Sequence, residues 1–398
     1  MSLSAMPTPP DKTSLSLEQQ VVRLQALLEA SRQVHSTIEI TDVLHQAARI
    51  AVLELELDGA MFTEPRVVFG EVPDDIATAD CAVCPRFPLL ARNGNLLSEL
   101  VVVPPDGREL TLYETDFLEG LALQTAVAAE NAINHQRHLE YARLAQDLDA
   151  ARAIQQSLLP QAMPAIPGYS LAARSRACYQ VGGDYLDVVV EPDGSHLIVV
   201  ADVAGKGLAS ALMCTAFRSA FRALARQSLK LTELAARLSQ QHWEEGTEAR
   251  RRYVTAIFVR LDAASAELEF VNAGHNPGFV VLAAAGMPKT YEVRASGTPL
   301  GLLPGMRYTT ERMSFPPGAR LLLYTDGLTE VFHGEDEFGS ERLLEAFAAS
   351  RQTGAEETLG ELWETLDAFS EHGPQQDDMS AVALCRLQPK AASREANA

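Results

Sequence analysis

Leu197-Ile198-Val199-Val200-Ala201-Asp202-Val203-Ala204-Gly205-Lys206-Gly207 is the stretch that decides how this chain reads. Its opening run is apolar without alternation, which suits a strand covered on both faces. The run ends on a carboxylate, and Gly205 and Gly207 then supply a loop into a helical pattern from Gly207 to about Leu229. A strand ending this way holds Asp202 rigidly yet within reach of solvent. The arrangement recurs at Leu321-Leu322-Leu323-Tyr324-Thr325-Asp326-Gly327. Asp184, in Val181-Gly182-Gly183-Asp184-Tyr185, and Asp377, in Asp377-Asp378-Met379-Ser380, stand at further strand ends.

Carboxylates gathered without His or Cys suit hard divalent cations such as Mg²⁺ or Mn²⁺. Without a cation they repel, and at least one acquires a raised pKa. Asp beside Gly is also an ordinary turn signal, so no single motif decides. Together the four point to a two-metal hydrolase of phosphate esters.

Working outward, Tyr253–Leu261, Leu268–Asn272, Phe279–Leu282, Arg320–Tyr324 and Ser380–Leu387 read as strands. Glu341–Ala349 and Glu357–Ser370 read as helices. Strands joined by short links, with helices inserted in blocks, predict an α+β sandwich. Upstream, Glu18 to about Ile40 and Thr41–Leu55 carry helical spacing, with Thr41 or Asp42 as cap. Short strands follow at Ala60–Phe62, Arg66–Phe69 and Leu96–Val103, and a long helix runs from Phe117 toward Leu159. Tyr141, Leu144, Leu148, Ala151, Gln155 and Leu158 form an a/d seam on that helix, which predicts pairing between two protomers. The alternative is one amphipathic helix lying on its own domain. Pro160 ends it.

A length of 398 residues predicts two domains and a connector. The expected division is a disordered stretch at 1–19, a regulatory domain at 20–135, a helical connector at 136–160, a catalytic domain at 161–388 and a disordered tail at 389–398. The formal net charge of -20 opposes binding to nucleic acid or anionic lipid. No apolar run reaches the length of a membrane span and no secretory signal is visible. Cys81, Cys84, Cys178, Cys214 and Cys385 are odd in number and scattered, which fits a reducing, cytoplasmic setting. Cys81-Ala82-Val83-Cys84 lacks a second ligand pair and reads as ordinary thiols.

Three other features carry open readings. Arg218, Arg222, Arg226 and Lys230 recur every four residues, as a solvated face paired with local acids or as a docking surface for an acidic protein. His275, in Gly274-His275-Asn276-Pro277, reads as turn architecture ahead of proton transfer. Lys206 is a phosphate-binding candidate or a solvated loop lysine.

The C-terminal part resembles the metal-dependent protein phosphatases of the protein phosphatase 2C superfold, in the bacterial branch of sporulation stage II E and stress-response phosphatases. The motifs carrying the resemblance are Gln155-Gln156-Ser157-Leu158-Leu159-Pro160, Gly182-Gly183-Asp184-Tyr185-Leu186-Asp187, Asp202–Gly207, Ala273–Pro277, Tyr324–Glu330 and Asp377–Ser380. It implies a four-layer αββα sandwich and two Mn²⁺ or Mg²⁺ ions. Asp202 is then expected to bridge both ions, with Asp184 and the Val203 carbonyl completing one site and Asp326 and Asp377 the other. Asp187 and Asp378 are expected to support those ligands or lie near the phosphate. The arginine clamp of the eukaryotic relatives is replaced here by Gln180-Val181. The resemblance implies a serine/threonine protein phosphatase using metal-activated water on a STAS-type anti-sigma-factor antagonist. A catalytically weak partner-binding scaffold and a two-metal phosphohydrolase of small molecules are the alternatives. Residues 20–135 resemble a GAF domain in element order, making that part a small α/β module.

Overall fold

A computed structural model describes residues 17–73, 84–160, 162–178, 181–283, 288–371 and 373–388. Cys81 and most of the two terminal stretches expected to be disordered lie outside the described residues. The chain divides into two compact units, Met1–Leu144 and Ala145–Ala398.

The first unit contains α1 (Leu17–Val34), α2 (Ile40–Leu55), β1 (Gly59–Phe62), β2 (Val67–Gly70), β3 (Arg86–Leu90), β4 (Leu96–Val103) and the start of α3 (Leu112–Leu158). Its four strands form an antiparallel sheet in the order β2-β1-β4-β3. Val43, Leu44, Ala47 and Ala51 of α2 and Phe117, Leu118, Leu121 and Ala126 of α3 share one apolar core with β1 and β4. α1 stops at Val34, short of Ile40, and α2 starts at Ile40 on Glu39 without a side-chain cap. Thr37 Oγ1 accepts from the Glu39 N–H, so local polar bonding ends the first helical pattern early.

The second unit continues with β5 (Tyr169–Arg176), β6 (Tyr185–Val190), β7 (His196–Val203), α4 (Leu208–Ala225), α5 (Leu231–Glu244), α6 (Thr247–Arg251), β8 (Val254–Asp262), β9 (Glu267–Ala273), β10 (Gly278–Leu282), β11 (Lys289–Val293), β12 (Glu311–Ser314) and β13 (Arg320–Tyr324). It closes with β14 (Phe332–His333), β15 (Asp336–Glu337), α7 (Gly339–Ala349), α8 (Ala355–Phe369) and β16 (Met379–Arg386). Two five-stranded antiparallel sheets result, β12-β9-β8-β7-β6 and β11-β10-β13-β16-β5.

The apolar run of β7 is explained by its two covered faces. Leu197, Val199 and Ala201 meet Phe217, Phe221 and Leu234 from α4 and α5. Ile198 and Val200 turn the other way, onto Leu321, Leu323 and Val382 of the facing sheet. On the far side of that sheet, Leu322 and Ala383 pack against Leu343 and Phe347 of α7 and Leu362 and Trp363 of α8. The layers are therefore α4/α5, sheet, sheet, α7/α8, the expected αββα sandwich.

One ion pair fixes α4 to its sheet. Asp187 of β6 is fully buried, and Arg222 of α4 grips it through Nε at 2.6 Å and Nη2 at 2.9 Å. Tyr185 also donates its hydroxyl to Asp187. This alters two sequence expectations. Asp187 points into the α4–β6 interface, because it shares a strand face with Tyr185. The basic stripe is also not a uniform solvated or docking face. Arg222 is spent on Asp187, and Arg218 Nε donates to the Leu158 carbonyl at 2.9 Å. Replacing Arg222 with Met leaves a buried carboxylate unpaired, and urea denaturation is expected to show a loss of about 3 kcal/mol. Adding Asp187→Leu to that variant should restore most of the loss.

Candidate active site

The two sheets present adjacent strand ends at one end of the sandwich. Asp184 stands just before β6, and Asp202 lies near the end of β7, where Tyr185 pairs with Ala201. Asp326 opens the 3-10 turn Asp326–Leu328 after β13, and Asp377 and Asp378 precede β16, where Tyr324 pairs with Ala381. Each sheet thus contributes acids from one antiparallel strand pair.

Asp202, Asp326 and Asp377 line one cleft of about 290 Å³, together with Lys206, Thr255 and His275. Asp184 lines an adjoining cleft with Asp378 and with Arg152 and Gln155 of α3. Burial, then Asp326, Asp377 and Asp378, push the Asp202 carboxyl up to about 7. Burial first and Asp202 second raise Asp184 well above the usual carboxylate range. Burial and Asp377 raise Asp326. Lys206 Nζ meets Asp377 Oδ2 at 2.7 Å and the Gln376 carbonyl at 3.0 Å. Lys206 is therefore engaged with an acid of the cleft rather than free in solvent.

Polar clips hold these strand ends in place. Thr325 donates through Oγ1 to Asp184 Oδ2 at 2.8 Å, reaching from β13 to the opposite sheet. The same oxygen accepts the Ser380 N–H at 3.0 Å. Asp378 accepts from the Cys178 N–H at 2.8 Å and the Gly183 N–H at 3.0 Å, so its carboxylate shapes the glycine loop ahead of Asp184. His275 is buried, with Nε2 at 3.0 Å from the Tyr324 carbonyl and Nδ1 at 2.8 Å from Thr255 Oγ1. The carbonyl can only accept, so Nε2 carries the proton and Nδ1 accepts from the hydroxyl. Burial pulls this imidazole down to about 4, which keeps it neutral near pH 7. That geometry suits a clip between strand ends, in line with the turn reading of His275.

Two contacts reach the site from the end of α3. Gln155 donates through Nε2 to the Gly182 carbonyl at 2.8 Å and accepts the Gly182 N–H through Oε1 at 3.1 Å. Leu158, three residues on, holds α4 through Arg218. By contrast Tyr141 and Leu144, earlier on the same seam, are exposed. Thr325, Ser380 and the pairing of Gln155 with Gly182 were not singled out from the sequence. Their signal was adjacency to an aspartate motif.

The donor set is oxygen-rich and acidic, which fits hard cations. Backbone geometry supports the same fit. A Cβ on Gly183 would lie 2.9 Å from the Val203 carbonyl oxygen and 3.2 Å from Asp202 Oδ1. The position is kept clear of side chain where the Val203 carbonyl and Asp202 face one space. Among the described residues, no three His, Cys, Asp or Glu groups already stand as a closed ligand cluster.

Residues 192–387 match the family model described as Stage II sporulation protein E (SpoIIE). Asp202, Asp326 and Asp377 fall inside that match, and Asp184 lies eight residues before it. The chain is similar to Protein IcfG of Synechocystis, 26% identical over 268 residues, covering 60% of this chain and 41% of that protein. It is also similar to phosphoserine phosphatase RsbP of Bacillus subtilis, 26% identical over 187 residues, covering 46% and 45%. The chain thus spans less than half the length of these curated relatives. The SiaA-PP2C domain of Pseudomonas aeruginosa has the same fold, with a TM-score of 0.55 at 23% identity over 63% of this chain and 99% of that domain.

Two outcomes follow from the site. Gly183→Ala places a methyl group against Val203 O and Asp202 Oδ1, so Mn²⁺ affinity by calorimetry should fall about 10- to 100-fold. The second concerns pH. Asp202 binds its proton more tightly in the folded than in the unfolded chain, where its value is 3.8. Stability of chelated protein therefore falls as pH rises from about 4 through about 7. Thermal melts should show Mn²⁺ raising Tm more at pH 8 than at pH 5, and equal shifts would contradict this.

Proposed function

We propose, from the match of residues 192–387 to the SpoIIE model, that the C-terminal unit is a PP2C-type domain of that family and a metal-dependent phosphatase acting on phosphoserine or phosphothreonine of a regulatory protein. The observation that carries the reading is the arrival of Asp184, Asp202, Asp326 and Asp377 at one end of the sandwich from facing sheets. Burial and mutual repulsion raise the pKa values of Asp184 and Asp202, a conflict that bound cations relieve.

Asp184, Asp202 and the Val203 carbonyl would hold one divalent ion, and Asp202, Asp326 and Asp377 the other. Two Mn²⁺ or Mg²⁺ ions, when bound, supply neutralisation of phosphoryl charge and acidification of the attacking water. The chain's own residues do the positioning. Asp378 sets the glycine loop, Thr325 orients Asp184, and His275 keeps the mouth of the sheets closed as a neutral clip. Lys206 stands in the cleft as the cation nearest Asp377, where it can meet a phosphoryl oxygen.

The substrate reading is a phosphorylated STAS-type regulatory protein, and the similarity to the phosphoserine phosphatase RsbP supports its phosphoserine part. Residues 20–135 serve as a GAF-like regulatory module, and the exposed seam of α3 around Tyr141 and Leu144 as a homodimer contact. Gln155 and Leu158 give that helix direct purchase on the Gly182 loop and on α4.

The test is release of phosphate from a phosphoserine peptide, a phosphorylated STAS protein and nucleotides, each with Mn²⁺. Phosphoprotein should be the preferred substrate. Asp202→Ala should lower turnover by about 10³-fold or more, since it removes the shared ligand. Full activity in that variant would overturn the ligand assignment, and preference for nucleotides would overturn the substrate class.

A further inference from the structure

Strand β13 ends beside Asp326, and at its other end Arg320 is buried, only 9% exposed. Its Nη2 donates to the Ala348 carbonyl at 3.1 Å, and its guanidinium lies over the Phe347 ring, 5.2 Å from the centroid. Its Nη1 is buried without a hydrogen-bond partner among the described residues. The carboxylate that acts on it electrostatically, Glu361, accepts the Ser350 hydroxyl at 2.7 Å and forms no ion pair with Arg320. A guanidinium stays charged in a protein, so burying one with a free donor is costly unless an anion joins it.

The surroundings are rich in cationic and polar side chains. Arg320 lines a cleft of about 230 Å³ with Arg351, Arg386, Gln352, Thr353 and Gln388. Among the described residues no acidic side chain lines this cleft, although the whole chain carries a net charge of -20. Arg386 is held by the Phe315 carbonyl and packs over Tyr169. Arg351 is exposed at the rim. The Arg320 and Arg351 guanidinium groups, with amide and hydroxyl residues lining the same cleft, match an oxyanion with many acceptor positions better than a single carboxylate.

We propose that this cleft binds a phosphate-type oxyanion, either the free ion or the phosphoryl group of a small molecule, with Arg320 at its floor and Arg351 at its rim. The site lies at the opposite end of β13 from the aspartates. It does not rest on the phosphatase reading, which stands or falls separately.

The experiment is a thermal-melt titration of the full chain, with chelator present, using sodium phosphate against sodium chloride of equal ionic strength. Phosphate is expected to raise Tm saturably. Arg351→Ala should shift half-saturation upward about tenfold while leaving Tm in chloride unchanged. Arg320→Met should abolish the response. If Arg320→Met does not fold, Arg351→Ala decides alone. Lys206→Ala, at the aspartate end, should respond as the parent does. Absence of a saturable rise, or an unchanged response in Arg351→Ala, would overturn the proposal. So would a response lost in Lys206→Ala but kept in Arg351→Ala. Glycerol phosphate titrated in parallel identifies the source. Tighter half-saturation than phosphate assigns an esterified phosphoryl group, and weaker assigns the free ion.

Discussion

The contact on which the acidic end of the sandwich depends is the carboxylate of Asp378. It stands just before β16 of one sheet and takes the Gly183 N–H ahead of β6 in the other, with the Cys178 N–H on its second oxygen. This spends one acid of the Asp377-Asp378 pair on architecture and leaves its neighbour in the cleft. It also explains the glycines. A Cβ at Gly182 would run into the Asp378 carboxylate, and one at Gly327 into the Asp378 carbonyl. The motifs Gly182-Gly183-Asp184 and Asp326-Gly327 are thus tied by a single packing constraint, since both wrap the same residue from opposite sheets.

That constraint acts against electrostatic repulsion. Asp184 and Asp202 both have raised pKa values, with burial as the larger cause and neighbouring carboxylates adding to it. The fold tolerates the conflict because neutral groups do the fastening: the Thr325 hydroxyl, the His275 imidazole and backbone N–H groups. Within the cleft Lys206 pairs with Asp377, and farther out Arg222 neutralises Asp187 and fixes α4 behind the loop that carries Lys206. Fastening by neutral donors leaves the carboxylates' charge available to a ligand. Additional arginines at the cleft would have cancelled it.

Much of this was legible in the sequence, for particular reasons. The β7 run could be recognised because both its faces are covered, and Asp202 and Asp326 because each follows such a run. Asp187 was harder. Its position two residues after Tyr185 places it on the helix-facing side of β6, but sequence spacing cannot show which layer covers that side. The stripe from Arg218 to Lys230 was misleading for the same reason. Four-residue spacing puts residues on one helix face, and only the packed structure shows that Arg222 finds a buried acid while Arg218 finds a carbonyl. Helix α5 was not recognised, although Leu231, Leu234, Ala235 and Leu238 carry its apolar face. It follows α4 closely, after the left-handed residue Ser228, and the two patterns run together. Arg320 gave no signal, since an arginine opening an apolar strand reads as an edge residue.

The end of α3 is tied to the site by short hydrogen bonds. Gln155 uses both ends of its amide on the backbone of Gly182, as a neighbouring strand would. Gly183 follows, with its carbonyl toward the Val203 N–H at 3.3 Å, and then Asp184. Only one residue, Gly183, separates the helix contact at Gly182 from the carboxylate of Asp184. Hydrogen bonds of this length weaken steeply with displacement and misalignment, so the Gly182 loop cannot keep this position if the helix turns on its axis. A rotation large enough to carry Gln155 away would also move the Leu158 carbonyl from Arg218, and with it the support of α4. The two contacts therefore make the orientation of this helix and the placement of Asp184 a single mechanical variable.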